Sequence, residues 1–270
     1  MKYEMTHWRQ KLHAEPELAF EERATARFLT RQLQSFGLEV HGLTKTGIVA
    51  VLHGKGGASS LTGEKSIMLR ADMDAMLMNE ESGAAHASRT PGVHHAGGHD
   101  GHVAMLLGAA KYLAQTKNFS GTVYFVFQPA EEQGSGAEAM IKAGLFRQFP
   151  CDEIYALQNS PELPLGAMAT GPGLVLAASD EFHITLNGLG GHASRPENAT
   201  NIIGAIAEAV SAIKALANKE IPAGEPALLT FSAVSTNTRI NNVLPDSASL
   251  HGNIRTYDPA LHARLRKGLE

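Results

Sequence analysis

The sequence predicts an α/β fold, a mainly parallel sheet with helices on both faces, followed by a smaller ferredoxin-like α+β unit. Two observations carry this. Up to about residue 178, β-branched or aromatic runs alternate with apolar stretches at helical spacing, the order that parallel strands and their crossover helices require. From Ser179 the order changes to strand, long helix, two strands and helix, which is β-α-β-β-α without its last β. A length of 270 residues suits about two domains, placed here at residues 1–178 and 179–270.

Each element has its own signal. Glu21 to Phe36 reads as a helix with Leu29, Leu33 and Phe36 on one face and Gly37 placed to end it. Gly47 to Leu52 and Ser66 to Ala71 read as strands, separated by a loop from Gly54 to Gly63. Gly101 to Gln115 is an apolar helix with Val103, Leu106, Leu107 and Ala110 at helical spacing. Thr122 to Phe127 is a buried strand bounded by Gly121 and Pro129; a helix from Ser135 to Ala143 and a strand from Glu153 to Leu157 continue the alternation. In the second part, Glu181 to Leu186, Ala227 to Ser235 and Ser247 to Thr256 read as strands. Asn201 to Ala217 reads as a long amphipathic helix, and Asp258 caps a final one. A ferredoxin-like unit lacking one strand leaves a sheet edge unpaired, so the chain is expected to stop inside a fold.

Composition narrows the function classes. At 43% hydrophobic and 19% charged the chain can bury a core, and its net charge of −4 gives no basic footprint for nucleic acid. The N-terminus lacks a signal peptide's apolar core, and no run approaches a membrane span. One cysteine, Cys151, excludes an internal disulfide. The reading is a cytoplasmic protein with neither nucleic-acid nor membrane partner. Cys151 reads as a packing residue before a buried strand, since no activating base accompanies it. His13 is assigned to ordering the N-terminal turn, and Gly54-Lys55-Gly56-Gly57 makes no full phosphate-binding fingerprint.

The chemistry concentrates in His94-His95-Ala96-Gly97-Gly98-His99-Asp100-Gly101-His102 and in Gln128-Pro129-Ala130-Glu131-Glu132. A His-rich loop is more often solvated and a Glu pair more often decorates a surface. Their placement changes the balance. His99 and His102 stand on one face where a helix begins. Glu131 and Glu132 emerge from a strand end, where open α/β sheets place their ligands. Imidazoles and paired carboxylates in such positions are the parts of a hydrolytic metal site.

These segments, with Leu12-His13-Ala14-Glu15-Pro16-Glu17-Leu18, Leu69-Arg70-Ala71-Asp72-Met73-Asp74-Ala75 and Gly190-Gly191-His192-Ala193, occur in the order seen in the M20 amidohydrolase and carboxypeptidase family. The chain most resembles its hippurate hydrolase, N-acyl-amino-acid amidohydrolase and aminoacylase-like branch. The resemblance implies a catalytic α/β domain with two divalent ions and an inserted lid that forms a homodimer. It also implies a C-terminal return that supplies a last metal-binding His, so this chain is expected to be shorter than its relatives.

Carried over residue by residue, the resemblance makes Glu131 the general base, and His99 and Glu132 metal ligands. Asp72 and Asp74 support the site. His192 polarises the scissile carbonyl from a second subunit, and Asn242 and Arg255 hold a substrate carboxylate. Arg suits that task because its planar fork bonds both oxygens. Two ligand positions depart from the family: Gly97 stands where the branch has Cys, and Gln158 where it has His. Replacing even outer partners of a metal typically costs ~10–100-fold in affinity. The expectation is therefore at most one divalent ion, zinc or manganese, held weakly through His99 and Glu132. His94 is a candidate substitute ligand. Two functions stay open. One is a metal-dependent hydrolase of N-acyl amino acids or small peptides. The alternative is a degenerate homologue that binds N-acyl amino acids, or dimerises, without turnover.

Overall fold

The computed structural model describes residues 1–56 and 65–270, so residues 57–63 of the expected Gly54–Gly63 loop lie outside the described residues. The chain divides into two compact units, Met1–Pro164 and Leu165–Glu270.

The first unit runs α1 (Lys2–Ala14), α2 (Arg23–Ser35), β1 (Glu39–Gly42), β2 (Ile48–His53), β3 (Ser66–Asp72), α3 (His99–Thr116), β4 (Thr122–Gln128), α4 (Gly136–Lys142), α5 (Leu145–Gln148) and β5 (Glu153–Ala156). Its five-stranded sheet has the order β1-β2-β4-β3-β5. Strand β4 pairs parallel with β3, and β3 parallel with β5; β1–β2 and β2–β4 are antiparallel. The sheet is therefore mixed and not mainly parallel. The departure starts at a hairpin: the Leu43 N–H donates to the Gly47 carbonyl at 3.0 Å, and so short a reversal permits only antiparallel pairing.

Alternation along the strands builds a core on each face. Ala50, Leu52, Phe125 and Phe127 pack with Trp8, Leu12, Leu29, Leu33 and Leu107 from α1, α2 and α3. Val49, Met68 and Val126 pack on the opposite side with Met140, Leu145 and Phe149. Each Val, Leu, Met or Phe side chain among them contributes roughly 1.5–3 kcal/mol when fully buried. Cys151 packs against this second cluster. The strand after it is not buried, however. All four residues of β5 are exposed, because β5 is an edge strand.

The second unit runs β6 (Ala178–Asn187), β7 (Gly191–His192), a 3-10 turn (Pro196–Asn198), α6 (Ile202–Glu220), β8 (Ala227–Thr236), β9 (Val243–Leu244), β10 (Ser247–Thr256) and α7 (Pro259–Leu269). The long strands form an antiparallel sheet in the order β6-β10-β8. Ala248, Leu250 and Ile254 of β10 face α6 and α7, where Ile206, Ile213, Leu261 and Leu265 complete the core. Asn201 caps α6 by accepting the Gly204 N–H, and Asp258 caps α7 by accepting the Ala260 N–H; each cap is worth about 1 kcal/mol. Among the described residues no helix is long and apolar enough to cross a membrane.

Candidate metal centre

The centre forms where β3, β4 and α3 end or begin together. Strand β3 carries Asp72 as its last residue, with Asp74 just beyond it, while β4 runs parallel to β3 and brings Glu131 and Glu132 alongside. Asp74 is fully buried, and its two carboxylate oxygens accept the backbone N–H groups of Glu131 at 2.9 Å and Glu132 at 3.0 Å. That clamp fixes the turn bearing both glutamates.

The turn is strained at its entrance. Ala130 has φ of 51°, a left-handed conformation uncommon for a residue with a side chain. Its N–H donates to Oε1 of Glu22 at 2.9 Å, and Glu22 takes a second bond from the Thr46 hydroxyl at 2.6 Å. Burial pushes the Glu22 carboxyl up, with those hydrogen bonds opposing.

His99 opens α3 and is 2% exposed. Its Nδ1 lies 2.9 Å from the Asp74 carbonyl oxygen, which requires the proton on Nδ1 and leaves Nε2 to face the carboxylates. Nε2 stands 3.8 Å from both Glu131 and Glu132, and 3.7 Å from Asp72. Metal-binding histidines characteristically donate their second nitrogen in this way. Burial opposes charge on His99. The Asp74 bond and the fields of Asp72, Asp74 and Glu132 outweigh it and hold the ring up at about 9. Burial, with the charges of Glu131, Asp74 and Asp72, raises Glu132. The site thus holds more carboxylate than its own cations balance.

His102 shares the face of His99, their rings 5.5 Å apart, but both its nitrogens are engaged. Nδ1 donates to Asp72 Oδ1 at 2.6 Å, and Nε2 accepts the Asn159 N–H at 3.1 Å. Asp72 also lies 2.9 Å from Arg70 Nη1, and Arg70 Nε donates to Gln128 Oε1 at 2.9 Å. Burial works against the Asp72 charge, but the His102 bond and the His99 and Arg70 charges keep its carboxyl below the ordinary range.

The donors fit one divalent ion. His99, Glu131 and Glu132 each offer an atom within 4.8 Å of the others. Among the described residues a second group, Asp72, His99 and His102, shares His99 with the first, and both His102 nitrogens are already engaged. Gly97 provides no donor, although a Cβ there would lie 2.7 Å from Glu132 Oε1 and 3.2 Å from His99 Nε2. Gln158 is exposed beyond β5. His94 does not move in to substitute: it belongs to a separate group with Glu80 and His13. His13 does more than order a turn, because it is buried between Asp100 and Glu80.

The remaining sequence-derived residues lie in the second unit. His192 sits on β7 and pairs with Val243 of β9, and its Nδ1 accepts the Ser194 N–H at 3.2 Å. The Asn242 carbonyl accepts the Ala193 N–H at 3.0 Å, so this small ribbon brings the His192 and Asn242 segments together. Arg255 stands on the separate β10 sheet, bonded through Nε to Asn253 Oδ1 at 2.9 Å. Sequence reasoning missed Glu22 and Arg70. An acidic residue at a buried helix entrance was the only sign of the first.

Residues 68–258 match the family model described as peptidase family M20/M25/M40. The hippurate hydrolase of Campylobacter jejuni is 38% identical over 251 residues, 93% of this chain and 63% of that protein. The N-acyl-L-amino acid amidohydrolase of Geobacillus stearothermophilus is 36% identical over 273 residues, 100% of this chain and 71% of its own length. The chain thus spans roughly two thirds of the curated relatives it matches. Among solved structures, the Bacillus subtilis YXEP protein, described as a dinuclear metal binding peptidase from the M20 family, superposes with a TM-score of 0.72. It is 30% identical, and the match covers 99% of this chain and 69% of that one. With a family match over more than half its length, a mixed sheet and a His–Glu–Glu centre, the chain belongs to peptidase family M20/M25/M40.

Proposed function

We propose that the chain is a metal-dependent amidohydrolase acting on the amide bond of N-acylated amino acids or small peptides. One observation carries this reading: Asp74 clamps the N–H groups of both Glu131 and Glu132, so that two carboxylates face His99 Nε2. His99 and Glu132 would hold one divalent ion, zinc or manganese, with weak or partial occupancy. When bound, such an ion acidifies water and polarises a carbonyl.

Glu131 is the more exposed of the two carboxylates, at 40% against 23% for Glu132. It accepts a proton from the attacking water and delivers it to the amine nitrogen as the C–N bond breaks. Asp74 and Asp72 keep Glu131, Glu132 and His102 in place. As the family resemblance implies, His192 would act from a second subunit to stabilise charge on the carbonyl oxygen, and Asn242 and Arg255 would bind the substrate carboxylate. We further assign residues 179–270 to an inserted lid that mediates homodimerisation, residues 1–178 to the catalytic domain, and the protein to the cytoplasm. The names of the relatives support the substrate class, since two of them are a hippurate hydrolase and an N-acyl-L-amino acid amidohydrolase. A binder without turnover is not favoured, since the named relatives are hydrolases.

The test is hydrolysis of N-acetyl and N-benzoyl amino acids with added Mn or Zn. Turnover that survives a chelator unchanged would reject the proposal.

A further inference from the structure

The geometry points to a second, separate cation site in this chain, built from His13, Glu80 and His94 and suited to a zinc-like divalent ion. None of the three belongs to the His99 centre. They come from the end of α1, from residue 80, and from the bridge that pairs His94 with Met76.

The His13 contacts fix the position of one proton. His13 Nδ1 lies 2.8 Å from Asp100 Oδ2, a contact that only an N–H donor permits beside a buried carboxylate. Its Nε2 therefore faces Glu80 Oε1, 3.1 Å away. A carboxylate on one nitrogen of a histidine and a cation on the other is the usual arrangement around bound zinc. Glu80 is a ready anionic donor. The Ser82 hydroxyl and the Ser88 N–H, the latter at 2.6 Å, hold its carboxyl down at about 2.

The Asp100 and Glu80 contacts account for His13 without any ion, but they do not account for His94. The His94 ring stands edge-on to His13, with centroids 5.4 Å apart, and its Nε2 is 3.9 Å from Glu80 Oε1. Its other nitrogen, Nδ1, has no hydrogen-bond partner among the described residues, so no competing bond fixes the ring against an ion at Nε2. Two backbone bonds to Met76, both 3.0 Å, fix the residue, so this placement is built into the loop. Donors around a tetrahedral zinc lie about 3.3 Å apart, given metal–ligand distances of 2.0–2.1 Å. The separations of 3.1 and 3.9 Å, with all three donor atoms within 4.8 Å, bracket that value. Arg9 does not contact Glu80: its Nε pairs with Asp100 at 2.7 Å, its Nη1 with His86 at 2.8 Å, and its Nη2 lies 3.3 Å from His13 Nδ1, the nitrogen that does not face Glu80. The His94 side chain is 19% exposed, which opens the site to solvent.

The experiment is a zinc titration of the chelator-stripped full chain carrying Glu132→Gln, which weakens the His99 centre. Binding is read by calorimetry and by the ligand-field spectrum with cobalt in place of zinc. One ion per chain is expected, with affinity falling at least ~10-fold when His94→Ala or Glu80→Gln is added. His94→Gln, closer in size, repeats the test should the alanine variant lose its circular dichroism. Failure of the Glu132→Gln chain to bind zinc, or undiminished binding in folded His94 variants, would overturn the assignment.

Discussion

Replacing Gly97 by cysteine should raise the affinity of the His99 centre for zinc, and the structure sets the terms. No positive φ is required at Gly97, so the backbone accepts a side chain there. The new Cβ would meet Glu132 Oε1 at 2.7 Å and His99 Nε2 at 3.2 Å. The closer contact is with the tip of a flexible side chain, so Glu132 can turn aside at a cost of about 1–3 kcal/mol in folding stability, typical of overpacking. In return a thiolate stands beside the His99 nitrogen. A full ligand should be worth at least the ~10–100-fold that outer partners supply, or about 1.4–2.8 kcal/mol of binding. The assay is zinc binding against a competing chelator, with Gly101→Cys as control because a Cβ there meets nothing within 4 Å. Unchanged affinity in a folded Gly97→Cys protein, or an equal gain at Gly101, would refute the placement of Gly97 beside the ion.

Further outcomes follow from the same contacts. Asp74→Ala leaves the Glu131 and Glu132 N–H groups without their acceptor, at about 1–3 kcal/mol each, and should lower both the urea midpoint and metal affinity. Glu22→Gln should be tolerated better than Glu22→Ala, because burial favours the uncharged form and an amide oxygen can still accept the Ala130 N–H; equal loss in both variants would contradict this. The metal-free chain should be most stable near pH 6.5, for two opposite reasons. Burial holds His95 down at about 4, so its contribution is present above 6.5 and is lost as pH falls through 4, about 3 kcal/mol by linkage. His99 sits at about 9, so its contribution is present below 6.5 and is lost as pH rises through 9. A melting temperature that climbs steadily from pH 6.5 to 9 without metal would contradict the second half.

How much of this was legible depended on the range of the interaction. Strand β10 was readable to its ends, Ser247 and Thr256, because alternation along one strand is a local property. The Asp258 cap and the apolar helix after His102 were readable for the same reason. Strand β1 was not, since four residues carrying Glu39 and His41 give little pattern, and the mixed sheet was lost with it. The His99 and Glu131–Glu132 segments declared themselves by composition and by their places at element ends. Their supports did not. Asp74 meets Glu131 across 57 residues and Glu22 meets Ala130 across 108, pairings that no spacing encodes. His13 looked local for the same reason, as its partners Glu80 and Asp100 lie 67 and 87 residues away.

On the proposed reading, Glu131 takes a proton beside an ion that His99 and Glu132 would hold. Comparing Glu131→Gln with the unaltered chain for hydrolysis of an N-benzoyl amino acid, while metal content is measured in the same samples, tests it most directly. Turnover should fall by the ~10²–10⁴-fold typical of a general base while the ion is retained, and a chelator should abolish turnover in the unaltered chain. Equal turnover in both proteins, or turnover indifferent to the chelator, would contradict it.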